Sequence, residues 1–133
     1  MNPENRLANA RADLQAAHDA LRIADAALSL GVLRDAMSRA YYAAFHAARA
    51  LVLVHGLEPR THAGLFHLFN EHVIRPGQLE PRFNLVLTRL QAYRQASDYA
   101  YAFVMSPEDV TAEIAAAREL VERARKIVDA APR

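Results

Sequence analysis

The sequence predicts an all-α protein, an antiparallel bundle of about five helices, and three observations carry that reading. Of the 133 residues 28 are alanine, which favours helix and lets helices approach closely. Apolar residues recur every three, four or seven positions, and no stretch alternates as a half-buried strand would. Glycine, present 4 times, marks helix ends.

The first helix is expected from about Pro3 to Leu30. Asn2 suits its cap, Pro3 its first position, and Gly31 its exit. Leu7, Leu14, Leu21 and Leu28 recur every seven residues with Ala10, Ala17 and Ala24 between them, a Leu/Ala seam suited to close packing. The second helix should run from about Leu33 to His55 and end at Gly56, before the loop Leu57-Glu58-Pro59-Arg60. Thr61 then caps a short third helix, roughly His62 to Ile74, with Leu65, Phe66, Leu68, Phe69 and Val73 as its apolar face. Arg75-Pro76-Gly77 breaks it.

Pro81 opens the fourth helix, which carries Phe83, Leu87, Leu90 and later Tyr101 on one side and extends to about Met105. Ser106-Pro107-Glu108-Asp109 is the strongest start signal: a cap, a proline at the first helical position, and two acidic residues where the helix dipole favours them. In the fifth helix Val110, Ile114, Ala117, Val121, Ala124 and Val128 form a second narrow seam, and helices one and five are expected to pack together. No linker, repeat or low-complexity tract divides the chain, so residues 1–133 read as one domain. A chain of this length buries roughly two-thirds of its unfolded surface, enough for one core.

Composition excludes several functions. Cysteine is absent, so there is no disulfide framework and no thiolate metal site. No basic segment leads an apolar run at the N-terminus, and no stretch nears the roughly 20 apolar residues of a membrane span, so a cytoplasmic location is expected. The net charge of +1 argues against coating nucleic acid by bulk electrostatics, and a local basic groove remains open. Of the 16 basic residues 15 are arginine. His62, His67 and His72 recur every five residues, about 140° apart around a helix instead of stacked as ligands, so neither a metal nor a cofactor is expected.

The second helix concentrates the chemistry. At about 100° per residue, Asp35, Arg39, Tyr42, His46 and Arg49 fall within one arc of about 80°, opposite Ala40, Ala44, Ala47, Ala48 and Leu51. Two readings stand. The stripe is a solvated face with an Asp35–Arg39 ion pair, or it is a groove wall in which two arginines hold phosphate and a histidine moves a proton.

Three motifs make the sequence recognisable. Ser38-Arg39-Ala40-Tyr41-Tyr42-Ala43-Ala44-Phe45-His46-Ala47-Ala48-Arg49-Ala50-Leu51 resembles the second-helix signature of a prokaryotic group of HEPN-domain proteins. Gly56-Leu57-Glu58-Pro59-Arg60-Thr61-His62-Ala63-Gly64 is similar to that group's turn into its short helix, and Arg94-Gln95-Ala96-Ser97-Asp98-Tyr99 to its fourth-helix motif. The resemblance covers about Leu33 to Tyr101. It implies an antiparallel helical bundle that forms a homodimer, often beside a minimal nucleotidyltransferase in toxin–antitoxin or defence modules. It also implies metal-independent RNA cleavage by the ribonuclease members, through an Arg followed after four to six residues by a His.

Carried over by position, Arg94 matches the motif's arginine, and after four residues comes Tyr99 in place of His. Tyr101 matches a tyrosine that the nucleotidyltransferase adenylylates in some members; core packing is its other reading. On a regular helix Arg94, Asp98 and Tyr101 share a face, and Arg94 and Asp98 form either an ion pair or part of an active site. Arg39 and His46 also fit the Arg-to-His spacing, so His46 is the candidate replacement base if the second and fourth helices line one cleft. The resulting expectation is a HEPN protein that acts on or binds RNA or nucleotide. Its candidate catalytic residues are Arg94, Asp98, Tyr99 and His46, and its groove is Arg39, Tyr42, His46 and Arg49. The alternative is a non-catalytic nucleotide-binding or protein-interaction module.

Overall fold

The computed structural model describes residues 2–99 and 105–132, apart from the side chains of 97–99. Five α-helices account for most of the chain: α1 (Pro3–Ser29), α2 (Leu33–Val54), α3 (His62–Phe69), α4 (Arg82–Tyr99) and α5 (Pro107–Asp129), with no strand among the described residues. None of these helices is long and apolar enough to cross a membrane.

The ends follow the expected chemistry. The Asn2 side chain accepts the Asn5 amide at 2.8 Å, satisfying one of the N–H groups that a helix start leaves without a partner. At the other end of α1, Gly31 adopts φ +76, and the amides of Gly31 and Val32 donate to the carbonyls of Leu28 and Ala27. A side chain at position 31 would make that left-handed turn costly. Ser106 and Asp109 form a reciprocal capping box at the start of α5.

One boundary differs from expectation. The third helix does not continue as a regular α-helix to Ile74; from Asn70 to Ile74 it widens into a π turn, with the Arg75 amide donating to the Asn70 carbonyl. Val73 and Ile74 are both buried there. α4 is described as far as Tyr99, and Met105 is buried outside any helix, directly before the Ser106 cap. Residues 100–104, and with them Tyr101, lie outside the described residues.

The expected packing of α1 on α5 exists, but α2 is the central element and packs against α1, α3, α4 and α5. Twelve of its residues are buried, seven of them alanine, so it is enclosed around most of its circumference. Small side chains let several helices approach one axis at once. Around them Leu51, Leu53, Leu65, Phe69, Phe83, Leu87, Leu90 and Leu120 are buried in one contiguous cluster, each large side chain contributing about 1.5–3 kcal/mol of burial energy. Polar ties fix the periphery: Arg89 of α4 donates to the buried Glu113 of α5 at 2.6 Å. The strip of α2 from Arg39 to Arg49 escapes full enclosure, and α1, α3 and α4 flank it.

Candidate functional site

Arg94 is carried by α4 across α2. Its Nη2 donates to the Tyr42 hydroxyl at 3.0 Å, and its guanidinium carbon lies 5.2 and 5.1 Å from the ring centres of Tyr41 and Tyr42. The guanidinium of Arg39, one turn before Tyr42 on α2, lies 5.7 Å from the Tyr42 ring. Two arginines from two helices therefore share one aromatic ring. That geometry uses the cation–π attraction of each guanidinium for the ring.

His46 and Arg49 face a different neighbour. Both reach Oδ1 of Asp13 on α1, His46 Nδ1 at 2.9 Å and Arg49 Nη1 at 3.4 Å. The Asp13 side chain is 6% exposed, against 27% for His46 and 43% for Arg49. A carboxylate can only accept, so Nδ1 of His46 carries the hydrogen. Whenever the ring is neutral, its lone pair is on Nε2, the arrangement a histidine base requires. Oδ2 of Asp13 has no hydrogen-bond partner among the described residues.

His62 opens α3 and takes the opposite form. Its Nδ1 lies 2.6 Å from the hydroxyl of Tyr41, and the two rings stack at 5.9 Å. Tyr41 is fully buried, and desolvation pushes its pKa up to about 12, against the smaller opposing effect of Arg94. The hydroxyl thus remains protonated at neutral pH. Were it to accept from His62, its own hydrogen would be buried without an acceptor, so it donates to Nδ1, and His62 carries its hydrogen on Nε2. Phe45 lies between the two histidines, its ring 5.6 Å from His46 and 4.4 Å from His62.

The predicted stripe therefore exists on one side of α2, but it is divided. Arg39 and Tyr42 meet Arg94 of α4, whereas His46 and Arg49 are held by α1. The expected Asp35–Arg39 ion pair does not form among the described residues, because Arg39 turns to the Tyr42 ring. The side chains of Asp98 and Tyr99, and all of Tyr101, lie outside the described residues. No three His, Asp or Glu side chains converge as a metal site among those described.

Sequence reasoning missed Asp13, Tyr41 and His62. Asp13 carried a signal: it falls three residues after Ala10 and four before Ala17, on the buried seam of α1, where an unpaired acid would be costly.

A model of the HEPN domain matches residues 7–129 of the chain. UPF0332 protein PH1297 of Pyrococcus horikoshii is 46% identical over 61 residues, 46% of this chain and 43% of that protein. A Methanocaldococcus jannaschii protein named "Putative toxin MJ0605" is 39% identical over 66 residues, 50% of this chain and 49% of its own. UPF0332 protein glr0978 of Gloeobacter violaceus is 33% identical over 102 residues, 77% of each chain. The matched regions span less than half the length of the Pyrococcus and Methanocaldococcus relatives.

Proposed function

The chain belongs to the HEPN domain family, and from that premise we propose that it acts on RNA as the HEPN component of a toxin–antitoxin or defence module. The toxin name of the Methanocaldococcus relative supports the module. The observation that carries the RNA reading is the convergence of Arg39 and Arg94 on Tyr42, with His46 one turn further along α2 and its Nδ1 held by Asp13. On this reading the two guanidiniums take the non-bridging oxygens of a phosphodiester and stabilise the charge that grows there in the transition state. His46 Nε2 takes the proton of the ribose 2′-hydroxyl, whose oxygen attacks the adjacent phosphorus. The bond to the 5′-oxygen breaks, that oxygen takes a proton from water, and a 2′,3′-cyclic phosphate remains. Asp13 acts through His46 as a positioning residue. The functional unit is proposed as a homodimer, with a minimal nucleotidyltransferase as its partner and Tyr101 as the residue that partner modifies.

The test is incubation of the purified protein with varied single-stranded RNAs in the presence of a chelator, with cyclic phosphate as the product to detect. Arg94→Ala and His46→Ala, each confirmed folded by circular dichroism, are expected to lose at least about 100-fold in rate, the scale of one general base or one charge-stabilising group. Absence of cleavage by the wild type across those RNAs removes the enzyme reading.

A second reading, binding without cleavage, is favoured by Tyr99 standing where the family motif has histidine. A protonated tyrosine donates to phosphate but is a poor base. RNA or nucleotide affinity in the uncleaved case should fall in Arg39→Ala, and unchanged affinity counts against the groove.

A further inference from the structure

The turn into α3 builds a second set of hydrogen-bond donors. An open hollow of about 270 Å³ lies between α2 and the Pro59-Arg60-Thr61 turn, with Phe45, Arg49, Arg60, Thr61 and His62 on its wall. The polarity of each polar group follows from its partner. Arg49 spends one N–H on Asp13 at 3.4 Å and retains the others. Thr61 Oγ accepts the Gly64 amide at 2.9 Å, so its own hydrogen remains for a ligand. His62 has Nδ1 engaged by the Tyr41 hydroxyl and presents Nε2–H. Arg60 is exposed and makes no ion pair or hydrogen bond among the described residues. No carboxylate lines the hollow. The start of α3, with its positive end of the helix dipole, adds to the same field.

A wall of donors with no acceptor carboxylate selects an anion, and the rings and aliphatic surface of Phe45, Pro59 and Leu65 suit a flat or apolar attachment beside it. We propose that this hollow is a binding site for the phosphate group of a nucleotide, free or within an RNA strand, separate from the Arg39–Tyr42–Arg94 cluster. It uses different residues, so it stands whether or not the protein cleaves RNA.

Nuclear magnetic resonance titrations of the full chain at low ionic strength test it, with inorganic phosphate, adenosine 5′-monophosphate and a short single-stranded oligoribonucleotide lacking a terminal phosphate. The expected result is that amide shifts centre on Thr61, His62 and Gly64. Arg60→Ala should weaken binding about tenfold, the loss of one charge-assisted contact. As Arg60 is exposed and without internal bonds, that variant keeps its fold. Arg118→Ala, which removes an exposed arginine paired with Asp25 on the α1–α5 side, should bind as the wild type does. Preference for the monophosphate over the oligoribonucleotide identifies a free nucleotide as the source; the reverse preference identifies the strand. Equal affinity in Arg60→Ala, shifts that map away from the α3 turn, or no binding of any of the three probes overturns the proposal.

Discussion

Replacing His46 with alanine should destabilise the fold more than replacing Asp13, its partner, and the asymmetry follows from burial. The Asp13 carboxylate is 6% exposed. Without the His46 ring it retains one long contact, to Arg49 Nη1 at 3.4 Å, while Oδ2 still has no partner among the described residues. A hydrogen bond to a charged group is worth about 1.5–3 kcal/mol, and leaving a buried group unmet costs a further 1–3 kcal/mol, so the expected loss is at least about 2.5 kcal/mol. Asp13→Ala leaves behind a histidine and an arginine that already reach water and can be hydrated again, and its cost should be about 1 kcal/mol. With a urea dependence of about 1.5 kcal/mol per molar, the midpoint falls by at least about 1.7 M in His46→Ala and by under about 1 M in Asp13→Ala. The double variant should resemble Asp13→Ala alone, because no carboxylate remains to be orphaned. Far-ultraviolet circular dichroism in urea gives all three midpoints. Equal losses in the two single variants, or a double variant equal to their sum, refutes the reasoning.

Tyr41 makes stability fall at alkaline pH. Its folded pKa, raised by burial to about 12, lies above the unfolded value of about 10, so the unfolded chain loses the proton first and stability declines as pH rises from about 10 to 12. That difference corresponds to a few kcal/mol at most, fully present below pH 10; urea midpoints in Tyr41→Phe should lack that part of the slope. Gly64→Ala places a Cβ 2.9 Å from Thr61 Oγ1 and forces the capping hydroxyl aside. Loss of the cap costs about 1 kcal/mol, and the better helix propensity of alanine returns about the same. Global stability should therefore change little, while hydrogen exchange at position 64 accelerates; an unchanged exchange rate counts against the cap.

The helices were legible because their ends are chemical. Asn2, Gly31, Gly56, Thr61 and Ser106 each act at a boundary through a hydrogen bond or a left-handed turn, and each stands where sequence reasoning put it. The centrality of α2 was less visible. Alanine fits a buried face and an exposed one equally well, so its seven buried alanines reveal a helix without revealing that four others surround it. The stripe residues were legible and their partners were not. Periodicity relates a residue to positions three and four away, whereas Asp13 meets His46 33 residues on, and Tyr42 meets Arg94 52 residues on. The π turn escaped for the same reason: burial of both Val73 and Ile74 depends on what packs over them, not on their neighbours in the chain.

Sequence treats His46 and His62 as the same residue type, yet the bundle gives them opposite polarity. Asp13 can only accept, so it fixes the hydrogen of His46 on Nδ1 and leaves Nε2 as an acceptor. Tyr41, buried and protonated, has to donate, so it fixes the hydrogen of His62 on Nε2 and makes that atom a donor. Neither assignment depends on the histidine itself. Each is imposed by a partner that the fold has removed from water, one on α1 and one on α2, with Phe45 between the two rings. For a strand bound as proposed, the consequence is directional. Phosphate oxygens are attracted at His62 and, while His46 is neutral, repelled by its lone pair, where a ribose hydroxyl can donate instead. The strand is therefore polarised by two hydrogen positions before any base is read, and exchanging the donor and acceptor partners should reverse which histidine the phosphate prefers.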